Sequence, residues 1–245
     1  MNIVQIHLKD DKMKIIAIVG SKNTGKTSLS VRIIEELVDR GYKVGSIKHS
    51  HHTMEVDTEG KDTWKHLQAG SDMVIGSGAN SFVIVDEELE LDQLLFMMKS
   101  LKDPDYVVVE GYKQYPYANI STSDFKDDYT IKQVDSFNLS EDDVVDLVDV
   151  VEKQSFGLIQ NLDYKKYGFK TRSEMASAIS QGKAAESPHE SDEMVLRVDE
   201  KIIPLNDFVQ AFLESGVRGM IKSLKTEEFG VKNLKNIQLL IRNKK

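Results

Sequence analysis

Residues 15–27 constrain this chain more than any other stretch. An apolar run, Ile15-Ile16-Ala17-Ile18-Val19, leads directly into Gly20-Ser21-Lys22-Asn23-Thr24-Gly25-Lys26-Thr27, which fits the pattern G-x-x-x-x-G-K-[ST]. Leu29, Ile33, Ile34, Leu37 and Val38 then share one face of a helical pattern, and Gly41 is its stop signal. The order strand, glycine loop, helix predicts backbone N–H groups gathered around an anion at the positive end of a helix. Gly20 and Gly25 permit backbone angles and a close approach that a side chain would block. Lys26 is expected at the β- and γ-phosphates of a nucleotide, and the Thr27 hydroxyl on a shared magnesium ion. With Ser28, these residues form the expected nucleotide-binding set. The plain alternative is a glycine turn before an ordinary helix.

Further strand-like runs at residues 44–47, 73–75, 82–85 and 106–109 alternate with helical patterns at 58–69 and 89–101. That alternation predicts an α/β fold of the P-loop NTPase type, with a mostly parallel sheet flanked by helices. The pair 73–75 and 82–85, joined through Gly76-Ser77-Gly78-Ala79-Asn80, also reads as an antiparallel hairpin. Residues 142–151 read as the last helix of this domain, expected to cover 1–155. A small α+β domain is expected over 160–245: a short helix within 168–182, a strand at 194–198, helical patterns at 205–216 and 219–224, and a terminal strand at 237–241.

Two more constellations fall at the carboxyl ends of predicted strands, the rim where open α/β sheets bind ligands. In the first, Tyr106-Val107-Val108-Val109 ends in Glu110-Gly111-Tyr112-Lys113. Glu110 is a candidate to bind magnesium, directly or through water, or to orient an attacking water. The second runs Lys48-His49-Ser50-His51-His52 and on through Asp57 to Lys61 and Asp62. Three histidines invite a zinc reading, but no fourth soft ligand is at hand and the spacing fits no zinc pattern. A loop contacting substrate or magnesium is expected instead, with Asp57 as its acidic contributor and Lys48 and Lys61 facing phosphates. A solvated polar loop is the plain alternative.

The chain has no cysteine, so disulfides and thiolate metal sites are excluded. The net charge of -8 argues against broad nucleic-acid binding. No run approaches the length of a membrane span and no signal peptide is evident, so a cytoplasmic protein is expected.

Together, Gly20–Thr27, the Gly45-Ser46-Ile47-Lys48-His49-Ser50-His51-His52 stretch with Asp57 and Gly60-Lys61-Asp62, Ala69-Gly70, and Val109-Glu110-Gly111-Tyr112-Lys113 resemble the molybdopterin-guanine dinucleotide biosynthesis adaptor family, MobB. The resemblance implies a homodimer that binds GTP with Mg2+ and hydrolyses it slowly. It also implies work beside the molybdenum cofactor guanylyltransferase and molybdopterin. GTP rather than ATP follows from the resemblance alone, because no N-K-x-D element for reading guanine is present. The C-terminal part resembles the iron–sulfur extension of archaeal members. Tyr164, Tyr167, Arg172 and His189 stand where thiolates would be, so no iron–sulfur cluster is expected. Tyr164 and Tyr167 are expected to pack or hydrogen-bond. Two other functions fit the same loop: a small-molecule kinase, against which the scarcity of arginine weighs, and a non-catalytic nucleotide- or pterin-binding docking module.

Overall fold

The computed structural model describes residues 3–9, 13–50, 57–185, 193–198, 201–203, 205–231 and 237–242. In chain order its elements are β1 (Ile3–Lys9), β2 (Lys14–Val19), α1 (Lys26–Asp39), β3 (Val44–Lys48), α2 (Asp62–Gln68), β4 (Met73–Ser77), β5 (Ser81–Val85), α3 (Leu91–Leu101) and β6 (Tyr106–Glu110). There follow β7 (Asn119–Ser121), β8 (Thr130–Gln133), α4 (Glu141–Gln154), α5 (Arg172–Ser180), β9 (Glu193–Val198), β10 (Lys201–Ile203), α6 (Asp207–Lys222) and β11 (Ile237–Arg242).

The α/β expectation holds. A five-stranded sheet runs in the order β3-β6-β2-β7-β8, with every neighbouring pair parallel. Its middle strands are apolar on both faces, as strands covered on both sides must be. Ile15, Ile16, Ile18 and Val19 of β2 and Val107, Val108 and Val109 of β6 are essentially inaccessible. Leu29, Ile33 and Leu37 of α1 and Val144, Leu147, Val148 and Val151 of α4 pack into the same core. Both helices follow the 3.6-residue spacing that puts one apolar stripe inward. Their charged flanks meet: Arg40 pairs with Asp149 at 2.7 Å and Glu152 at 3.2 Å, and Arg32 with Glu141 at 3.1 Å. Acidic side chains of α4 are thus matched by Arg32 within α1 and Arg40 just past its end.

β4 and β5 form an antiparallel hairpin of their own, with Met73 facing Val85 and Ser77 facing Ser81. The short β7 and β8 have no counterpart in the sequence reading. They are held by side chains rather than by apolar alternation: Asp127 Oδ1 accepts from Asn119 Nδ2, Thr130 Oγ1 and the Tyr129 backbone, each at 2.9 Å.

The expected division near 155–160 does not coincide with the sheets. β1, within the expected first domain, pairs antiparallel with β9 and β11, giving a four-stranded sheet in the order β10-β9-β1-β11. Conversely, Phe156, Leu158, Leu162, Met175, Ala176 and Ile179 pack into the core of the five-stranded body. Tyr164 packs against that core as expected and has the Arg172 guanidinium over its ring, at 5.2 Å. Tyr167 is exposed. His189 lies outside the described residues. Among the described residues no helix is long and apolar enough to cross a membrane.

Candidate functional site

The glycine loop turns as its residues require. Gly20 has φ 143°, Gly25 φ 78°, and Asn23 the left-handed φ 62° that asparagine tolerates. Crowding reinforces the need for glycine. A Cβ at Gly20 would sit 2.4 Å from Thr122 Oγ1, and one at Gly25 2.1 Å from Ser136 Oγ. Those two hydroxyls come from segments following β7 and β8, and they fix the loop from its far side. Thr24 Oγ1 lies 2.6 Å from Thr122 Oγ1, and Ser136 Oγ donates to the Thr24 carbonyl at 2.6 Å. Lys26 Nζ donates to the Ser21 carbonyl, so its ammonium folds back over the loop. Helix α1 starts at Gly25 with no side-chain cap and no acidic residue in its first turn. Its first-turn N–H groups therefore have no side-chain acceptor of their own and face the cleft.

The sheet places the second constellation beside the first. β6 neighbours β2, and its last residue, Glu110, reaches across to α1: Thr27 Oγ1 donates to the Glu110 carboxylate, at 2.9 Å to Oε1 and 3.0 Å to Oε2. Lys48, ending the next strand, brings its ammonium 3.3 Å from both Glu110 Oε1 and Thr27 Oγ1. A hydroxyl and a carboxylate so close, with a cation already drawn to both, form an oxygen donor set that suits magnesium. Beyond Glu110 the chain turns sharply through Gly111 (φ 100°) and Tyr112 (φ 54°). The Tyr112 ring packs against His49, with centroids 4.5 Å apart. Burial, with Glu88 and Glu90 nearby, raises the Tyr112 hydroxyl above its ordinary pKa, so it stays neutral.

These elements surround one cleft of about 870 Å³. Gly20, Ser21, Lys22, Asn23, Gly25, Lys26, Thr27, Ser28, Lys48, His49, Glu110 and Lys113 all line it, while Thr24 turns away toward Thr122. Among the described residues Lys22, Lys26, Lys48 and Lys113 against the single carboxylate of Glu110 make the lining basic in an acidic protein. That contrast of local and overall charge suits a polyanionic ligand.

Ser50 also lines the cleft, but the later described residues of the histidine loop do not join it. Asp57 does not line the cleft; its Oδ1 accepts from the Thr58 backbone at 2.8 Å. Lys61 precedes α2, and Asp62, its first residue, is fully turned to solvent with Lys65 at 3.3 Å. His51 and His52 lie outside the described residues. Among the described residues no three histidine or carboxylate side chains gather as a metal cluster. Sequence reasoning missed Thr122, Ser136 and Phe137, the last lining the cleft. Only the hydroxyl-rich texture of 121–123 and 136–140 beside the short strands hints at them.

Comparisons with known proteins bear on the family of the chain. The family profile described as MobB, molybdopterin guanine dinucleotide synthesis protein B, matches residues 15–149, more than half of the chain. A Methanocaldococcus jannaschii protein, provisionally named a molybdopterin-guanine dinucleotide biosynthesis adapter protein, is 29% identical over 94% of this chain and 97% of its own length. The Haemophilus influenzae adapter protein of the same name is 36% identical over 48% of this chain. The match spans 67% of that protein and 63% of its Escherichia coli counterpart. The crystal structure of Bacillus subtilis MobB aligns with a TM-score of 0.42 at 29% identity, covering 50% of this chain and 77% of that one. The glycine loop, Lys48, Glu110 and Lys113 all lie within the matched residues, and the chain belongs to the MobB family.

Proposed function

We propose that this chain is a GTP-binding adaptor of molybdenum or tungsten cofactor biosynthesis, at most a slow magnesium-dependent GTPase. It would act in the cytoplasm beside the guanylyltransferase that joins GMP to molybdopterin. The observation carrying this reading is the Thr27–Glu110 contact beside an uncapped helix start, with Lys26 and Lys48 at hand. In that arrangement the loop N–H groups and Lys26 hold the β- and γ-phosphates. Thr27 and Glu110 are the residues that would hold magnesium, whose charge on the phosphate oxygens promotes transfer to water. Glu110 also stands where it can orient that water.

Among the described residues no arginine lines the cleft. Arg32, on α1, is committed to the Leu139 and Ser140 carbonyls at 3.0 and 2.7 Å. A positioned arginine accelerates such reactions by about 10³–10⁵-fold, so turnover without one is slow, as befits a handover protein. The homodimer reading draws support from the β4–β5 hairpin. Two strands alone are marginal, and Met73, Ile75, Phe82 and Val83 leave apolar surface exposed that a second copy can cover.

The test is GTP binding and hydrolysis with and without magnesium. Lys26→Ala should weaken GTP binding by about 30-fold or more, the scale of a lost charge-assisted contact. Wild-type and variant hydrolysis rates that coincide would exclude a catalytic loop.

A further inference from the structure

The nucleotide reading leaves one prominent side chain at the cleft unexplained. Phe137 lines the cleft and is 70% exposed, so most of its ring stands open to solvent. Its surroundings are anything but loose. Ser136, next to it, is buried and donates to the Thr24 carbonyl. The Phe137 backbone N–H donates to Asp135 Oδ1 at 3.1 Å, and Asn138 Nδ2 to Asp135 Oδ2 at 2.7 Å. Arg32 holds the following carbonyls from α1. The ring is also set against the glycine loop, since a Cβ at Gly25 would lie 3.3 Å from Phe137 Cε1. The backbone is clamped on both sides of an aromatic face left open to the cleft.

We propose that Phe137 is the platform on which the nucleobase of the bound nucleotide stacks. Strand order gives the direction. Glu110 and Lys48 end β6 and β3, on one side of the loop-bearing β2, whereas Phe137 follows β8, on the other. A triphosphate whose terminal phosphate lies at Thr27 and Glu110 runs across the loop and carries its nucleoside end toward β7 and β8. Three strand spacings, about 14 Å, separate β6 from β8. A phenyl face offers stacking without hydrogen-bond readout, so it holds any base and does not choose guanine over adenine. This inference rests on the nucleotide reading above and adds to it the source of affinity for the nucleoside.

The experiment is a calorimetric titration of the full chain in magnesium with GTP, ATP and inorganic tripolyphosphate. Phe137→Ala should weaken GTP and ATP alike, by about 5- to 150-fold, and leave tripolyphosphate within about twofold. Phe137→Trp should keep or improve both nucleotide affinities, which separates stacking from damage to the loop. Nucleotide affinities unchanged in Phe137→Ala, with tripolyphosphate still bound, would overturn the platform and leave the phosphate loop standing. An equal loss for tripolyphosphate would also overturn it, by assigning the ring to loop structure. A wild-type chain that binds none of the three would overturn both readings.

Discussion

Helices α1 and α4 pack against each other, and their amino-terminal ends are built on opposite principles. The first turn of α4 supplies its own cap. Ser140 accepts from the Asp143 N–H, the Asp143 carboxylate accepts from the Ser140 N–H, and Glu141 and Asp142 add negative charge at the positive end of the helix. The first turn of α1 has no such cap and no acid; it begins instead at a left-handed glycine braced by Ser136. A helix that caps itself has spent its donors on stability. One held in place from outside can leave them to a ligand. The difference shows that the phosphate loop is shaped by its neighbours, Thr122 and Ser136, as much as by its own glycines.

Replacing the braced glycine should have the largest effect. Gly25→Ala combines a left-handed backbone with a methyl group driven into Ser136, and should lower unfolding stability by about 2–4 kcal/mol in chemical denaturation. Ser140→Ala removes the cap of α4 and should cost about 1 kcal/mol by the same assay, with GTP affinity moving by less than about twofold. If GTP affinity fell as far as in the Gly25 variant, the two ends would not be separate devices.

The smallest effect concerns pH. Hydrogen bonds from the Ser140 hydroxyl and backbone hold the Asp143 carboxyl below its ordinary value of 3.8. The unfolded chain therefore takes up this proton at a higher pH than the native one. The contribution to stability is whole above the ordinary value and fades as pH falls through the lowered one. Asp143→Asn should thus show its melting-temperature deficit near neutrality and lose it in strong acid. A deficit independent of pH would remove the charged carboxylate from the cap.

This contrast also explains what the sequence disclosed. β2, β6, α1 and α4 are long, and their apolar spacing alone identifies them. The glycine loop is legible because backbone conformation dictates its residue types. β7, β8 and β10 are only three or four residues each, too short for any period to show. β7 and β8 are tied together through Asp127, a side-chain arrangement no spacing encodes. β1 alternates apolar and polar residues, but its partners lie at the far end of the chain. Among the site residues, Lys48, His49, Glu110 and Lys113 were legible because a strand end fixes their place at the rim. Asp57, Lys61 and Asp62 are further along a loop, where nothing local decides which way a carboxylate turns. Phe137 escaped notice because one aromatic in an acidic stretch carries no signature until the sheet brings it beside Gly25.

The four-stranded sheet has a consequence for how the polypeptide is made. Ile3 pairs with Arg242 and Val4 with Val198, so once β1 is made it waits for partners synthesised far later in the chain. At ordinary elongation speeds that delay is roughly ten to fifty seconds. The glycine-loop body can close in the meantime, while β1 stays without its native neighbours, a strand edge open to chaperones or to another nascent copy.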